Sequence, residues 1–322
     1  MRRVLLALVL IATQVCSASA QSPRKTYVVG ILSPGHDEAL IGPRQFTLPE
    51  LGRRGFVEGQ NLRVEWRFAG GVAARLPALA KELVEARVDL IMAISSVAAR
   101  AAKTATGTIP IVMSFAGEDP VGDGLVASLA HPGGNVTGLA LLATEGDLKR
   151  LEILREALPG ATRIAYLASP VREHVLTPAT QFAAASGFEL AILTAAGRGD
   201  YEGVFEQLAR LRPAGLAIGS FPTFFNDASE LAERANGMRI PTICQWRDMA
   251  LSGCTLAYGP PIGPLFERVG WYVARVLNGE PPGQLPIEQP ERFELVVNLR
   301  AARALGVTFP PTLLARADEV IE

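Results

Sequence analysis

Short β-branched runs alternate with longer segments of helical period along most of this chain, and that alternation limits its fold more than any other feature. A strand, a covering helix and a further strand pack best as a parallel sheet with helices on both faces. Five runs make a first set of predicted strands: Tyr27 to Leu32, Leu62 to Trp66, Asp89 to Ile94, Ile109 to Met113 and Val136 to Leu141. Five more make a second: Arg163 to Ala168, Glu189 to Leu193, Gly215 to Ile218, Ile240 to Cys244 and Cys254 to Tyr258. Between them, Leu76, Leu79, Ala80 and Leu83 recur at i, i+3, i+4 and i+7, which lays one apolar stripe on a helix. Leu148 to Leu158, Val204 to Leu211 and Phe266 to Val276 repeat the pattern, the last ending at Gly279 and a Pro-rich stretch.

The two sets resemble each other. Thr26 to Pro34 matches Thr162 to Pro170 in pattern and in its closing Ser-Pro; Leu90 to Ser96 resembles Leu216 to Ser220, and Ile109-Pro110 corresponds to Ile240-Pro241. The order of the pairs is preserved, so the expected architecture is two similar open α/β lobes rather than one large sheet. Ligands of such sheets sit beyond the carboxyl ends of the strands. The turns carrying Ser33, Ser95, Ser96, Ser169 and Ser220 are therefore expected to face a shared cleft.

Composition narrows the function classes. With 49% hydrophobic residues and 31 Lys+Arg against 32 Asp+Glu, the 322-residue chain is neither disordered nor basic enough to hold a polyphosphate backbone, and nucleic acid is not an expected partner. Arg2-Arg3, the apolar run Val4 to Ala12 and Ala18-Ser19-Ala20 form a three-part export signal over residues 1–20, with cleavage expected before Gln21. A lipidated Cys16 is the alternative, against which Thr13-Gln14-Val15 lacks the usual preceding residues. Nothing downstream reaches the roughly 20 apolar residues of a spanning helix, so a periplasmic protein is expected. Loss of Arg2 and Arg3 takes the net charge from −1 to −3. Cys244 and Cys254 then remain; in an oxidising compartment they could pair, or stand as two buried small side chains.

Ser95-Ser96 precedes a helical segment, where backbone N–H groups and the helix dipole make an anion site; plain helix capping is the alternative. Asp119 follows a strand end and could take a ligand ammonium, although Asp119-Pro120 is equally a turn starter. Phe68, Trp246 and Tyr258 lie near strand ends, where they could line a pocket, and Arg247 could hold an anion through its fork. A nucleophile elbow, a phosphate-binding loop and a dinucleotide fingerprint are all missing, and His36, His131 and His174 are too separated for a ligand set. No catalytic residue, cofactor or metal is therefore expected, and an α/β hydrolase using His36 and a nearby Ser is the enzymatic alternative.

Several long strings carry a resemblance. Gln289 to Gly306 followed by Pro310 to Ile321 is the most specific; Gly55 to Leu62, Ile109 to Val112 with Asp119 to Gly122, Leu129 to Gly138 and Tyr258 to Pro260 add to it. Across nearly the whole chain beyond the signal, these strings resemble the extracytoplasmic solute-binding proteins of ABC importers, in the branch that includes tryptophan- and tyrosine-binding members. The resemblance implies a type I periplasmic binding protein-like fold with a three-crossing hinge, a monomer that closes on a small solute such as an amino acid, and an ABC permease as partner. It implies a first lobe of residues 24–142 plus about 259–290, and a second of 143–258 plus about 291–322. By position it places Ser95, Ser96 and Asp119 on cleft turns of the first lobe, and Ser169, Ser220 and Trp246-Arg247 on those of the second. Ser95-Ser96 departs from the Gly-Thr often found there. A sensory module handing its closed form to a receptor is a further alternative.

Overall fold

All ten predicted strands form, and they sort into two sheets built to one plan. The structure, a computed structural model, describes residues 25–36, 42–116, 119–141, 143–170 and 173–322; the export signal lies outside these. The strands are β1 (Tyr27–Ser33), β2 (Leu62–Phe68), β3 (Leu90–Ile94), β4 (Ile111–Ala116), β5 (Val136–Ala140), β6 (Arg163–Ala168), β7 (Glu189–Thr194), β8 (Leu216–Ile218), β9 (Thr242–Cys244), β10 (Leu256–Gly259), β11 (Glu294–Asn298) and β12 (Glu319–Ile321). The helices are α1 (Leu48–Arg53), α2 (Leu76–Glu85), α3 (Ser96–Ala105), α4 (Ala143–Ala157), α5 (Glu173–Ala185), α6 (Arg198–Leu211), α7 (Pro222–Asn226), α8 (Ala228–Gly237), α9 (Arg247–Leu251), α10 (Ile262–Leu277), α11 (Leu299–Leu305) and α12 (Pro311–Leu314).

The first sheet runs β2-β1-β3-β4-β5, and the second contains the same order in its own strands, β7-β6-β8-β9-β10. Each pair matched in the sequence thus occupies one position in both sheets: β1 with β6, β3 with β8, β4 with β9. Central strands such as β3, with all five residues buried, are apolar throughout because helices cover both faces of a parallel sheet. Two strands that periodicity did not mark extend the second sheet. β11 pairs antiparallel with β10, and β12 parallel with β11. β11 follows a Pro-rich stretch and β12 has three residues, too few for an alternation to show.

The chain passes between the sheets three times. It enters the second lobe between β5 and α4, and it returns after β10, where α10 packs on β3, β4 and β5. It leaves again between the bridge that Glu288 makes with Leu139 and the start of β11. One apolar cluster contains Leu90 and Met92 of the first sheet together with Leu167 and Leu216 of the second. Cys244 at the end of β9 and Cys254 ahead of β10 form a disulfide, with Cα atoms 6.5 Å apart and both side chains fully buried.

Candidate functional site

In both sheets the chain leaves the first strand of the lobe toward one edge and the third toward the other. The carboxyl ends of β1 and β3, and of β6 and β8, are therefore topological switch points, where open α/β sheets bind ligands. Ser33 ends β1 and Ser95 follows β3; Ser169 follows β6 and Ser220 lies just beyond β8. The four predicted serine turns thus occupy all four switch-point strands.

In the first lobe, Ser33 is buried and its Oγ accepts the Gly35 N–H at 3.1 Å. Ser95 stands at φ 81° and ψ 163°, a region that is essentially glycine's, at a cost of about 1–3 kcal/mol. Its N–H donates to the Ser114 carbonyl at 2.9 Å, which ties the β3 turn to β4. The Ser95 side chain does not cap α3, so the capping alternative does not describe it. Its Oγ is buried with no hydrogen-bond partner, and so is the Oγ of Ser114 on the neighbouring strand. Ser96, also buried, opens the ten-residue helix α3, whose first N–H groups lack intrahelical acceptors. Asp119 is exposed and its Oδ1 accepts the Val121 N–H at 2.9 Å, so it forms the turn that its Asp-Pro sequence suggested. Phe68 stacks on Trp66 with centroids 5.9 Å apart, and Arg44 lies 4.3 Å over the Trp66 ring.

In the second lobe the hydroxyl of Ser220 is engaged. Arg150 Nη2 donates to Ser220 Oγ at 2.5 Å and to Asp147 Oδ1, and Arg150 Nη1 donates to the Tyr258 carbonyl at 2.9 Å. The Ser220 N–H and hydroxyl both reach Asp147 Oδ1 at 3.2 Å. Arg150 and Asp147 are fully buried, one helical turn apart on α4. One guanidinium thereby joins the first helix after the first crossing, the β8 turn and the last strand before the second crossing. Ser169, directly after β6, is buried. Tyr258 stacks on Phe293 at 5.7 Å. Arg247 donates from Nε and Nη2 to Glu319 at 2.5 and 2.7 Å, so its fork is taken up by a carboxylate that β12 brings to it.

Among the described residues, two of the contacts between the lobes lie near the sheet ends. Phe115, at the end of β4, lies 6.0 Å from Trp246 beyond β9 and 4.5 Å edge-on from Phe266 of α10. Nearer the other edge of the sheets, Asn226 of α7 reaches the β1 turn so closely that a Cβ on Gly35 would lie 2.5 Å from its Nδ2. Of the predicted serines, Ser33 shares the β1 turn with Gly35, and Ser95 follows β3, which lies between β1 and β4. Phe115, Ser114, Arg150, Asp147 and Asn226 were not marked from sequence. Asp147 and Arg150 at i, i+3 on an otherwise apolar helix face were a readable signal; Phe115 carried none. Among the described residues, no group of three or more His, Cys, Asp or Glu side chains could hold a metal ion, and no helix is long and apolar enough to cross a membrane.

The same architecture occurs in known proteins. The chain is 26% identical over 299 residues to a tyrosine-binding protein of Clostridioides difficile (strain R20291), covering 88% of this chain and 82% of the relative. A conserved domain protein from Vibrio cholerae superposes with a TM-score of 0.84 at 29% identity, over 92% of this chain and all of that one. An ABC domain in complex with L-Trp from Streptococcus pneumoniae gives 0.82 at 20% identity, again over 92% of this chain and 100% of that one. The ligand-free, open form of a substrate-binding protein with adhesive properties from Clostridium difficile gives 0.62 at 24% identity, over 92% and 99%. The family model for ABC transporter substrate binding proteins matches residues 29–321, nearly the whole described chain, and the protein belongs to that family.

Proposed function

We propose that this protein is the extracytoplasmic component of an ABC importer that captures an aromatic α-amino acid between its lobes and delivers it, unaltered, to a membrane permease. The observation that carries the reading is the pairing of switch points. Serine turns stand at equivalent strand ends of two duplicated lobes, and aromatic contact between the lobes lies beside them. In this reading the solute carboxylate meets Ser95, Ser96 and the first N–H groups of α3, where the unpartnered Ser95 hydroxyl adds a donor. Asp119 attracts the ammonium, Ser33, Ser169 and Ser220 frame the cleft, and Phe68, Trp246 and Tyr258 supply ring surface. Arg247 acts through its pairing with Glu319 by holding the Trp246 turn. The first lobe comprises residues 24–142 and about 259–290, the second residues 143–258 and about 291–322. The chain works as a monomer, without nucleic acid, after removal of residues 1–20.

The relatives support an aromatic solute, one being a tyrosine-binding protein and another a complex with L-Trp. Closure follows from differential affinity, because a solute touching both lobes favours the state in which both contacts exist. Calorimetric titration with L-tryptophan, L-tyrosine, L-phenylalanine and the aliphatic amino acids tests the reading. Saturable heat with an aromatic member, weakened roughly tenfold or more by Ser95→Ala, is expected for loss of a hydrogen bond to a charged group. Absence of heat with every amino acid overturns it.

A further inference from the structure

We propose that Phe115 is a built-in latch, which holds the two lobes together before any solute arrives. The inference rests on the two-lobed, closing mechanism above but not on the identity of the solute. Phe115 has φ 59°, a conformation in which a bulky residue is a genuine outlier. It stands where the β4–β5 pairing shifts register between Met113 and Ala116, so the strand is bulged at the point that aims this ring. Such strain persists only where surrounding contacts over-determine it. The contacts are aromatic: Trp246 of the second lobe at 6.0 Å, tilted by 52°, and Phe266 of α10 at 4.5 Å, edge-on at 82°. Trp246 is 7% exposed and Phe266 5%, so neither ring faces solvent.

The placement gives the contact its role. β4 and β9 neighbour β5 and β10, the strands from which the chain crosses between lobes, so the ring contact lies on the hinge side of the serine turns. Phe115 packs against an apolar cluster that contains Trp246, Phe266 and residues of both sheets, and parting the ring from Trp246 exposes apolar surface to water. A ring pair of this geometry is worth a factor of roughly 2 to 10 in the ratio of closed to open forms. The solute then completes a closure that the protein itself has begun.

Small-angle X-ray scattering of the full chain, freed of co-purifying solute by dialysis in mild denaturant, reads the ratio directly. The solute-free protein is expected to scatter predominantly as the closed form. Phe115→Gly and Trp246→Leu are each expected to shift the ratio about fivefold toward the open form, and the double variant no further than either alone. Glycine accepts the positive φ without cost, so Phe115→Gly should melt as one cooperative transition while its radius of gyration increases. A merely structural role would lower the melting temperature and leave the radius unchanged. If Phe115→Gly does not melt cooperatively, Trp246→Leu from the opposite lobe carries the test. Solute-free protein that already scatters as open, or variants that scatter as the parent does, overturn the proposal. The measurement needs no ligand, so a failed amino-acid titration would remove the solute assignment and leave this result standing.

Discussion

The turn after β3 and the turn after β8 are one turn in two copies, yet they have settled their polar groups in opposite ways. Ser95-Ser96 of the first corresponds to Gly219-Ser220 of the second. At the first position the first lobe accepts a strained serine, and its hydroxyl and that of Ser114 remain buried without partners. The second lobe has glycine there for a different reason: a Cβ would lie 2.7 Å from Tyr166 Oη and 2.8 Å from the Leu167 carbonyl. At the next position, Ser220 is held by an ion pair from α4. A buried hydroxyl without a partner costs roughly 1–3 kcal/mol, and a turn that carries this cost retains hydrogen-bonding capacity for a polar group that enters. Duplication has thus supplied one turn that can respond and one that is braced.

If the brace is as described, removing its cation should be the most damaging change. Arg150→Met leaves the Asp147 carboxylate buried opposite Ser220, and a loss of about 3–5 kcal/mol is expected in urea unfolding. Adding Asp147→Asn should recover part of it. The serines should then separate in sign. Ser220→Ala removes a satisfied hydroxyl and is expected to cost about 1 kcal/mol, whereas Ser95→Gly relieves the strained backbone and should stabilise by about 1 kcal/mol. Equal effects of the two substitutions on thermal unfolding would erase the distinction between the turns.

Acid is expected to act on the lobes more alike than the turns do. Hydrogen bonds from Arg268 hold the carboxyl of Glu288 below the ordinary range in the first lobe, and those from Arg247 do the same for Glu319 in the second. Because both folded values are depressed, the associated stability is complete above the unfolded value near 4.3 and is lost as pH falls through the folded values. Both pairs are partly exposed, so the effect is small and should shrink in salt. Unfolding midpoints between pH 6 and 3 for Glu288→Gln and Glu319→Gln should each show a shallower acid decline than the parent. An unchanged decline would show that neither pair contributes.

Ten strands, the likeness of the two lobes and the placing of Ser33, Ser95, Ser96, Ser169 and Ser220 at strand ends were all legible in the residue order. Those properties are local: a buried parallel strand must be apolar on both faces, and small hydroxyl residues mark where it ends and the chain turns. Periodicity could not show β11 and β12, which lie outside the alternation of strands and helices and pair only because β10 already stands at the sheet edge. Nor could it show what each side chain meets. Ser220 depends on an arginine 70 residues away, Arg247 on a glutamate 72 residues away, and the link between the lobes on Phe115 meeting Trp246. Cys244 and Cys254, left open as a pair or as two thiols, are joined because β9 and β10 are neighbours in the second sheet. Hydrogen bonds and ring contacts act over a few ångströms whatever the separation along the chain. The tertiary fold alone therefore decided which turn is braced, which is not, and where the lobes touch.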